Sequence, residues 1–444
     1  MEDHKLQMKK LTKKERRLRF GVIMGTCLTL AIMIVVALCT PVHRQAAAEH
    51  PMPEGCGWAD TLTNAVSHLE ALEPMDRDIE RFMRQWGVQG MQLAVVRGDS
   101  LVYTKGYGWA DREEGVEMEA TSIMRIASAS KLVTAIAAMK LIEEGRLSLD
   151  SKVFGPKGVL CDTALTSAIA DKRALDMTVD HLLLHEGGFS RWMGDPMFRT
   201  SDMIKFLHLP AAPTSEELVK IVMSHRLAHA PGAGRRYSNF GYMLLSLVIE
   251  RAAGMDYWDY VLTHVLEPAG ACGFRPAGNY YADRHDAEVR YYAPDSAELV
   301  EEYNGSGAMV PRVYGGNDIH GLMGAGGWVA SAADLARLVA ATDGLPQVAD
   351  ILSSESIGLL TETGDKTERR ARGWVSADSH GNWVRTGTLA STHTYIKRFA
   401  NGDIWVLLTN TGVWTGHTFS HRQASLVNNL ASRYAALLPH RSLW

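Results

Sequence analysis

The chain has 444 residues with 46 Lys+Arg against 50 Asp+Glu, a formal charge of −4, and 46% of its residues are hydrophobic. This composition excludes a disordered or collagen-like chain, and the length allows one large domain or two to three small ones. The charge is split: residues 1–20 hold eight basic and three acidic residues, and the 38 basic and 47 acidic residues that remain argue against nucleic acid as the main partner.

Residues 1–19 read as a basic cytoplasmic tail, and 20–42 carry no charge at all. A helix of about 20 residues, rising roughly 1.5 Å per residue, spans a bilayer core, whereas the apolar part of a cleaved signal is about 7–15 residues long. The run is therefore expected to be a transmembrane anchor, with Ala46-Ala47-Ala48 as an alternative cleavage site. The positive-inside rule leaves the rest of the chain outside the cell membrane, as a single-pass protein facing the periplasm or cell exterior. Residues 43–73 are polar, contain Pro51 and Pro53, and are expected to form a stalk with a short helix near 59–72. Cys56, Cys161 and Cys272 fall in the exported part, where an odd number permits at most one internal disulfide. A Cys161–Cys272 bridge and three unpaired thiols both remain open.

The body is expected over 74–440. A helix starts near Pro74 and puts Ile79, Phe82, Met83 and Trp86 on one face. Two strand-like runs, 91–96 and 101–108, are joined by a turn at Arg97-Gly98-Asp99-Ser100. Residues 128–144 have helical periodicity and stop at Gly145. The region of about 150–320 reads as a helical lobe, with helical patterns at 177–185, 215–229 and 240–254. Strand patterns return at 373–378, 381–387, 392–399 and 403–411, before a helix at about 420–437. Strands at both ends with helices between predict an α+β sandwich with a helical insertion.

Three short patterns could carry chemistry. Ser128-Ala-Ser-Lys131 places a hydroxyl and an amine on one helix face, so Lys131 could take the Ser128 proton if burial keeps the amine partly neutral. Tyr237-Ser-Asn239, just before an apolar helix, offers a phenol that can act as base and acid and an amide that can bind a carbonyl. Arg385-Thr386-Gly387-Thr388, on a strand, offers a guanidinium and hydroxyl for a carboxylate, a glycine for close approach, and the Thr388 amide for an oxyanion. Taken singly, each is as readily an N-cap, a core tyrosine or an ordinary strand.

Together, in this order and these settings, they resemble the penicillin-recognising serine hydrolases: class C β-lactamases with related D-peptidases and esterases. The surrounding text resembles the same family at 124–135, at 143–150, at Leu182-Leu-Leu-His185-Glu-Gly-Gly188, around Tyr237 and at 324–336. The resemblance covers about 75–435. It implies a β-lactamase/transpeptidase-like fold, an antiparallel sheet flanked by helices with a helical lobe, and a site between them. It also implies that Ser128 forms an acyl-enzyme, that Lys131 and Tyr237 move protons, and that the amides of Ser128 and Thr388 bind the oxyanion. Two positions depart from the family: Arg385 stands where Lys or His is usual, and Glu186 where a hydroxyl residue is common.

No cofactor or metal is called for. His225/His229 and His417/His421 are each four apart, but no third ligand is spaced to complete a site. No G-x-S-x-G elbow and no phosphate-binding glycine motif occurs. The expected partner is a small-molecule or peptide substrate with an amide, β-lactam or ester bond. The alternative is a non-catalytic scaffold of the same fold that binds cell-wall fragments; a hydrolase of small metabolites is a third reading.

Overall fold

The computed structural model describes residues 57–293, 298–363 and 371–444. The expected tail and anchor lie outside these, as does the first part of the expected stalk. Among the described residues, no helix is long and apolar enough to cross a membrane.

A seven-stranded antiparallel sheet organises the described body. Its strands are β1 (Gly90–Arg97), β2 (Ser100–Asp111), β3 (Val116–Glu117), β4 (Ser376–Ala377), β5 (Trp383–Leu389), β6 (Thr392–Arg398) and β7 (Ile404–Thr409). The spatial order is β3-β2-β1-β7-β6-β5-β4. N-terminal and C-terminal strands thus meet at the β1–β7 pair, with Leu93 opposite Leu407. The expected run at 373–378 shortens to the two residues of β4.

Both faces of the sheet are covered, which is why residues 93–96 of β1 and 404–408 of β7 are continuously apolar instead of alternating. One face packs Met91, Leu93, Val95, Trp405 and Leu407 against helices α1 (Glu73–Trp86) and α5 (Phe419–Tyr434). In α1, Ile79 and Met83 are buried, and Phe82 and Trp86 rest on Phe419 with ring centroids 5.6 and 5.7 Å away. The other face packs Ala94, Val96, Val406 and Leu408 into a core shared with α2 (Ser130–Glu143), α3 (Asn239–Ala253) and α4 (Ala332–Ala340), of which α4 lies on the strands. Most of α2 and α3 is buried on every side. A polar side chain on either helix is therefore withdrawn from water, which matters for Lys131.

Between the two groups of strands the chain is mostly helical and looped, with a two-stranded ribbon pairing Leu299–Glu301 with Met309–Pro311. Three expectations need correction here. From Gly57 onward the expected stalk is part of the body: Leu62 and Leu72 are buried, and the Trp58 indole donates to Gly270 O at 3.1 Å. The helix expected over 215–229 ends at Met223, because the chain then turns to let Ala228 N–H donate to Gly188 O. His225 and His229 therefore share no helix face; His225 stacks on Trp192 at 4.3 Å. Finally, Cys272 is disulfide-bonded while Cys161 is free and exposed, so those two are not paired.

Candidate active site

Ser128 sits in a short 3-10 turn, Ala127–Ala129, that leads directly into α2. Ala127 has φ +52°, a left-handed conformation that costs an L-residue about 1–2 kcal/mol. The turn is held from outside by Ile126 N–H donating to Trp328 O at 3.0 Å. His185, whose ring packs against Tyr237, and Met323, two residues before Ala325, have positive φ as well. Strained backbone concentrates where the surrounding fold imposes a side-chain position.

Lys131 follows one turn later on α2 and is fully buried. Its Nζ donates to Ser128 Oγ at 3.3 Å, to Asn239 Oδ1 at 2.7 Å and to Ala325 O at 2.5 Å. Burial pulls its pKa down from 10.5 to about 8; Arg385 adds to the shift, and Tyr237 and Asp195 oppose it. An amine held near 8 is neutral in a useful fraction of molecules at neutral pH, which an exposed lysine is not.

Tyr237 and Asn239 come from the loop and first turn of α3. Ser238 between them is the N-cap, its Oγ accepting from Gly241 N–H at 3.0 Å. That cap fixes the chain direction and sends the two neighbouring side chains toward Lys131. Tyr237 OH donates to Ser128 Oγ at 2.7 Å, and its ring packs at a tilt against His185, centroids 4.5 Å apart. Burial alone raises the phenol, but the charges of Lys131 and Arg385 with the hydrogen bonds from Lys131 and Ser128 outweigh it, leaving Tyr237 below its usual value of 10. His185 is held well below its ordinary value by burial, then by Lys131 and Arg385, so its ring is neutral.

Asp195 is a member of the cluster that sequence reasoning missed. Its Oδ2 accepts from Asn239 Nδ2 at 2.8 Å. Protonated lysine has donors only, so Asn239 turns its oxygen toward Lys131 and its NH₂ away. Asp195 receives that NH₂ and fixes the amide in this orientation. Asp195 lies in a loop 44 residues before Asn239, with no spacing rule to link them.

The structure places Arg385 differently from the sequence expectation. Its side chain is buried, donating to Gly373 O at 2.9 Å and to Ser128 O. A guanidinium committed to two carbonyls braces the Ser128 turn and is not presented to a substrate carboxylate. Thr386 is half-buried, and its hydroxyl makes no hydrogen bond among the described residues. Thr388 Oγ1 lies 3.3 Å from His393 Nδ1. Val375 N–H donates to Val384 O across β4–β5, so by alternation the main-chain polar groups of Val384, Thr386 and Thr388 face that same edge. β4 pairs with Trp383 and Val384, so among the described residues the Thr388 N–H points to an edge with no strand beside it.

Gly387 lies against the Ser128 turn. A Cβ there would stand 2.4 Å from Ile126 O and 3.1 Å from the main-chain N of both Ser128 and Ala129. Gly387→Ala must push strand and turn apart. We expect a destabilisation of about 1–3 kcal/mol, the usual cost of overpacking, and a larger proportional loss of kcat/KM than of stability. Thermal melts beside steady-state rates check this; full activity in the alanine variant would show that the contact does not constrain Ser128.

This geometry can be set beside known proteins. The beta-lactamase family model matches residues 75–428. The chain belongs to the beta-lactamase family. It is 27% identical over 324 residues to esterase EstB of Burkholderia gladioli, a match covering 69% of this chain and 76% of that one. It is 31% identical over 215 residues to penicillin-binding protein 4* of Bacillus subtilis, but that match covers 47% of this chain and 41% of the relative. Among solved structures, the D-amino acid amidase of Ochrobactrum anthropi superposes with TM-score 0.60 at 20% identity, over 81% of this chain and 99% of that one. The D-alanine carboxypeptidase AmpC of Burkholderia cenocepacia gives 0.59 at 20% identity, over 82% and 99%. The resemblance in the sequence and the α+β fold it implies are thus both met. The protein is a serine hydrolase of the beta-lactamase family.

Proposed function

We propose that this beta-lactamase-family protein is a membrane-anchored, outward-facing hydrolase that cleaves a small amide or ester through a Ser128 acyl-enzyme. The observation that carries the reading is a serine oxygen 2.7 Å from a tyrosine hydroxyl and 3.3 Å from a fully buried lysine amine. Ser128 Oγ attacks the substrate carbonyl while its proton passes to the Tyr237–Lys131 pair. The carbonyl oxygen takes up negative charge toward the amides of Ser128 and Thr388. Tyr237 returns the proton to the leaving amine or alcohol as the C–N or C–O bond breaks. A water then attacks the acyl-enzyme, gives up its proton by the same route, and the Ser128 C–O bond breaks to free the acid.

The uncharged run at 20–42 and its basic flank support the anchor and its orientation. The disulfide at Cys272 supports an oxidising compartment. The family includes relatives named as esterases, penicillin-binding proteins and amidases, so the decisive experiment is a panel. The full-length chain is assayed on short-chain nitrophenyl esters, D-amino acid amides, D-alanyl-D-alanine peptides and a chromogenic cephalosporin, alongside labelling with a fluorophosphonate. Turnover of at least one class with labelling is the expected result. No turnover and no labelling, with cell-wall fragments still bound, would overturn the reading in favour of a scaffold.

A further inference from the structure

The short helix Val179–Leu183 ends just before His185, which has φ +62°. That left-handed conformation favours glycine or asparagine, yet an imidazole stands there and is buried. A backbone outlier of this kind points to a function. The main-chain N–H of Arg236 donates to His185 O at 2.9 Å, and the N–H of Ser238 donates to His185 Nδ1 at 3.3 Å. One residue thus receives the amides on both sides of Tyr237. The Tyr237 ring packs against the same imidazole. Tyr242, on α3, packs against it too, with centroids 4.9 Å apart, and is itself pinned by its OH donating to Leu183 O at 2.9 Å. Tyr237 as a residue is 40% exposed, so core packing does not by itself fix its ring.

A ring nitrogen that accepts from an N–H carries no proton, so the imidazole is neutral with its hydrogen on Nε2. Burial and the positive charges of Lys131, Arg385 and Arg235 keep a second proton off it. We propose that His185 is the positioning residue of Tyr237: by receiving the amides of Arg236 and Ser238 and packing on the phenol, it holds Tyr237 OH on Ser128, and proton delivery to the leaving group depends on it. This rests on the hydrolase reading above and adds a residue to it that touches neither substrate nor nucleophile.

The test compares two esters in each protein. The full-length chain is assayed on the 4-nitrophenyl and ethyl esters of the acid whose ester or amide the panel finds cleaved. 4-Nitrophenolate departs without a proton, whereas ethoxide must be protonated as the C–O bond breaks. In His185→Leu, which removes the acceptor, kcat/KM for the ethyl ester should fall by about 100-fold, the cost of a misplaced catalytic group. It should fall at least about tenfold more than for the 4-nitrophenyl ester, a split that general loosening of the fold would not produce. His185→Asn should recover most of the loss, because its Oδ1 stands where Nδ1 does and asparagine accepts a left-handed φ. His185→Gly, which carries no backbone penalty at this φ, serves if His185→Leu does not fold. Hydrogen exchange of a peptide spanning 235–239 supplies a readout independent of turnover. Exchange there should quicken by about tenfold in His185→Leu, the scale of one hydrogen bond, and return in His185→Asn. No loss or a uniform loss on the two esters, an asparagine variant no better than leucine, or unchanged exchange overturns the assignment while leaving the hydrolase reading intact. Exchange that behaves as expected in a protein that turns over nothing leaves His185 holding the Tyr237 loop and overturns the hydrolase reading.

Discussion

Ser128→Ala lowers kcat/KM on the substrate found by the panel by about 10⁴–10⁶-fold, the scale seen when a serine nucleophile is removed from a comparable unit. It also abolishes fluorophosphonate labelling. The effect should be this large because nothing nearby can replace the lost atom. Tyr237 OH and Lys131 Nζ both converge on Ser128 Oγ, at 2.7 and 3.3 Å, and Ser130 on the same helix is buried, its Oγ accepting from Trp328 N–H at 3.4 Å. The fold should hardly notice the change. Ser128 caps no helix, and the turn is braced through its backbone by Arg385. Melting within a few degrees of the unmodified protein, with rates at background, is the expected pair of observations. Equal labelling of the alanine variant would remove Ser128 from the mechanism.

The second large effect concerns Lys131 and is a function of pH. Activity of the unmodified protein should rise through a midpoint near pH 8, as the buried amine loses its proton. Lys131→Met should lose about 10²–10⁴-fold in kcat/KM and the rising limb with it. Stability changes in a defined direction. The folded-state pKa is depressed from 10.5 to about 8, so between those values the unfolded chain holds a proton that the folded chain has released. Stability attributable to this residue therefore rises with pH across that window. The unmodified protein should gain on Lys131→Met by about 3 kcal/mol between pH 7 and pH 11, other groups cancelling in the difference. Denaturant unfolding of both proteins at several pH values measures it. A constant difference would mean that Lys131 titrates as an exposed lysine.

The contrast between Lys131 and Arg385 shows where the sequence is legible. Ser128 and Lys131 lie three apart on a helix, and helical geometry brings them together whatever the rest of the chain does. The Tyr237–Asn239 pair is legible for a similar reason, since a serine cap and an apolar helix follow at once. Arg385 depends on something the sequence does not display: which side of β5 packs on the nucleophile turn. Gly387, two residues on, allows that packing, and the same alternation carries Arg385 under Ser128 and away from the solvent edge. Asp195 was illegible because its link to Asn239 is made by loops. The segment from Gly57 to Glu73 was misread because its composition is polar, while its attachment depends on a few anchors such as Leu62, Leu72 and the Trp58 indole. The helix pattern at 215–229 was overrun for want of a stop signal at Met223. The sheet fared better, since long apolar runs such as 91–96 and 403–411 have few alternatives to central strands.

The separation of the cluster along the chain bears on when the protein becomes reactive. Ser128 meets Tyr237 across 109 residues, and Arg385 braces its turn across 257. Before those segments dock, Lys131 is a solvated cation with an ordinary pKa and Ser128 an ordinary alcohol. The chemistry is therefore switched on by the last stages of tertiary assembly, not by synthesis. A nascent or unfolded chain is chemically silent toward its surroundings, and acylation of Ser128 would report that both ends of the sheet have closed.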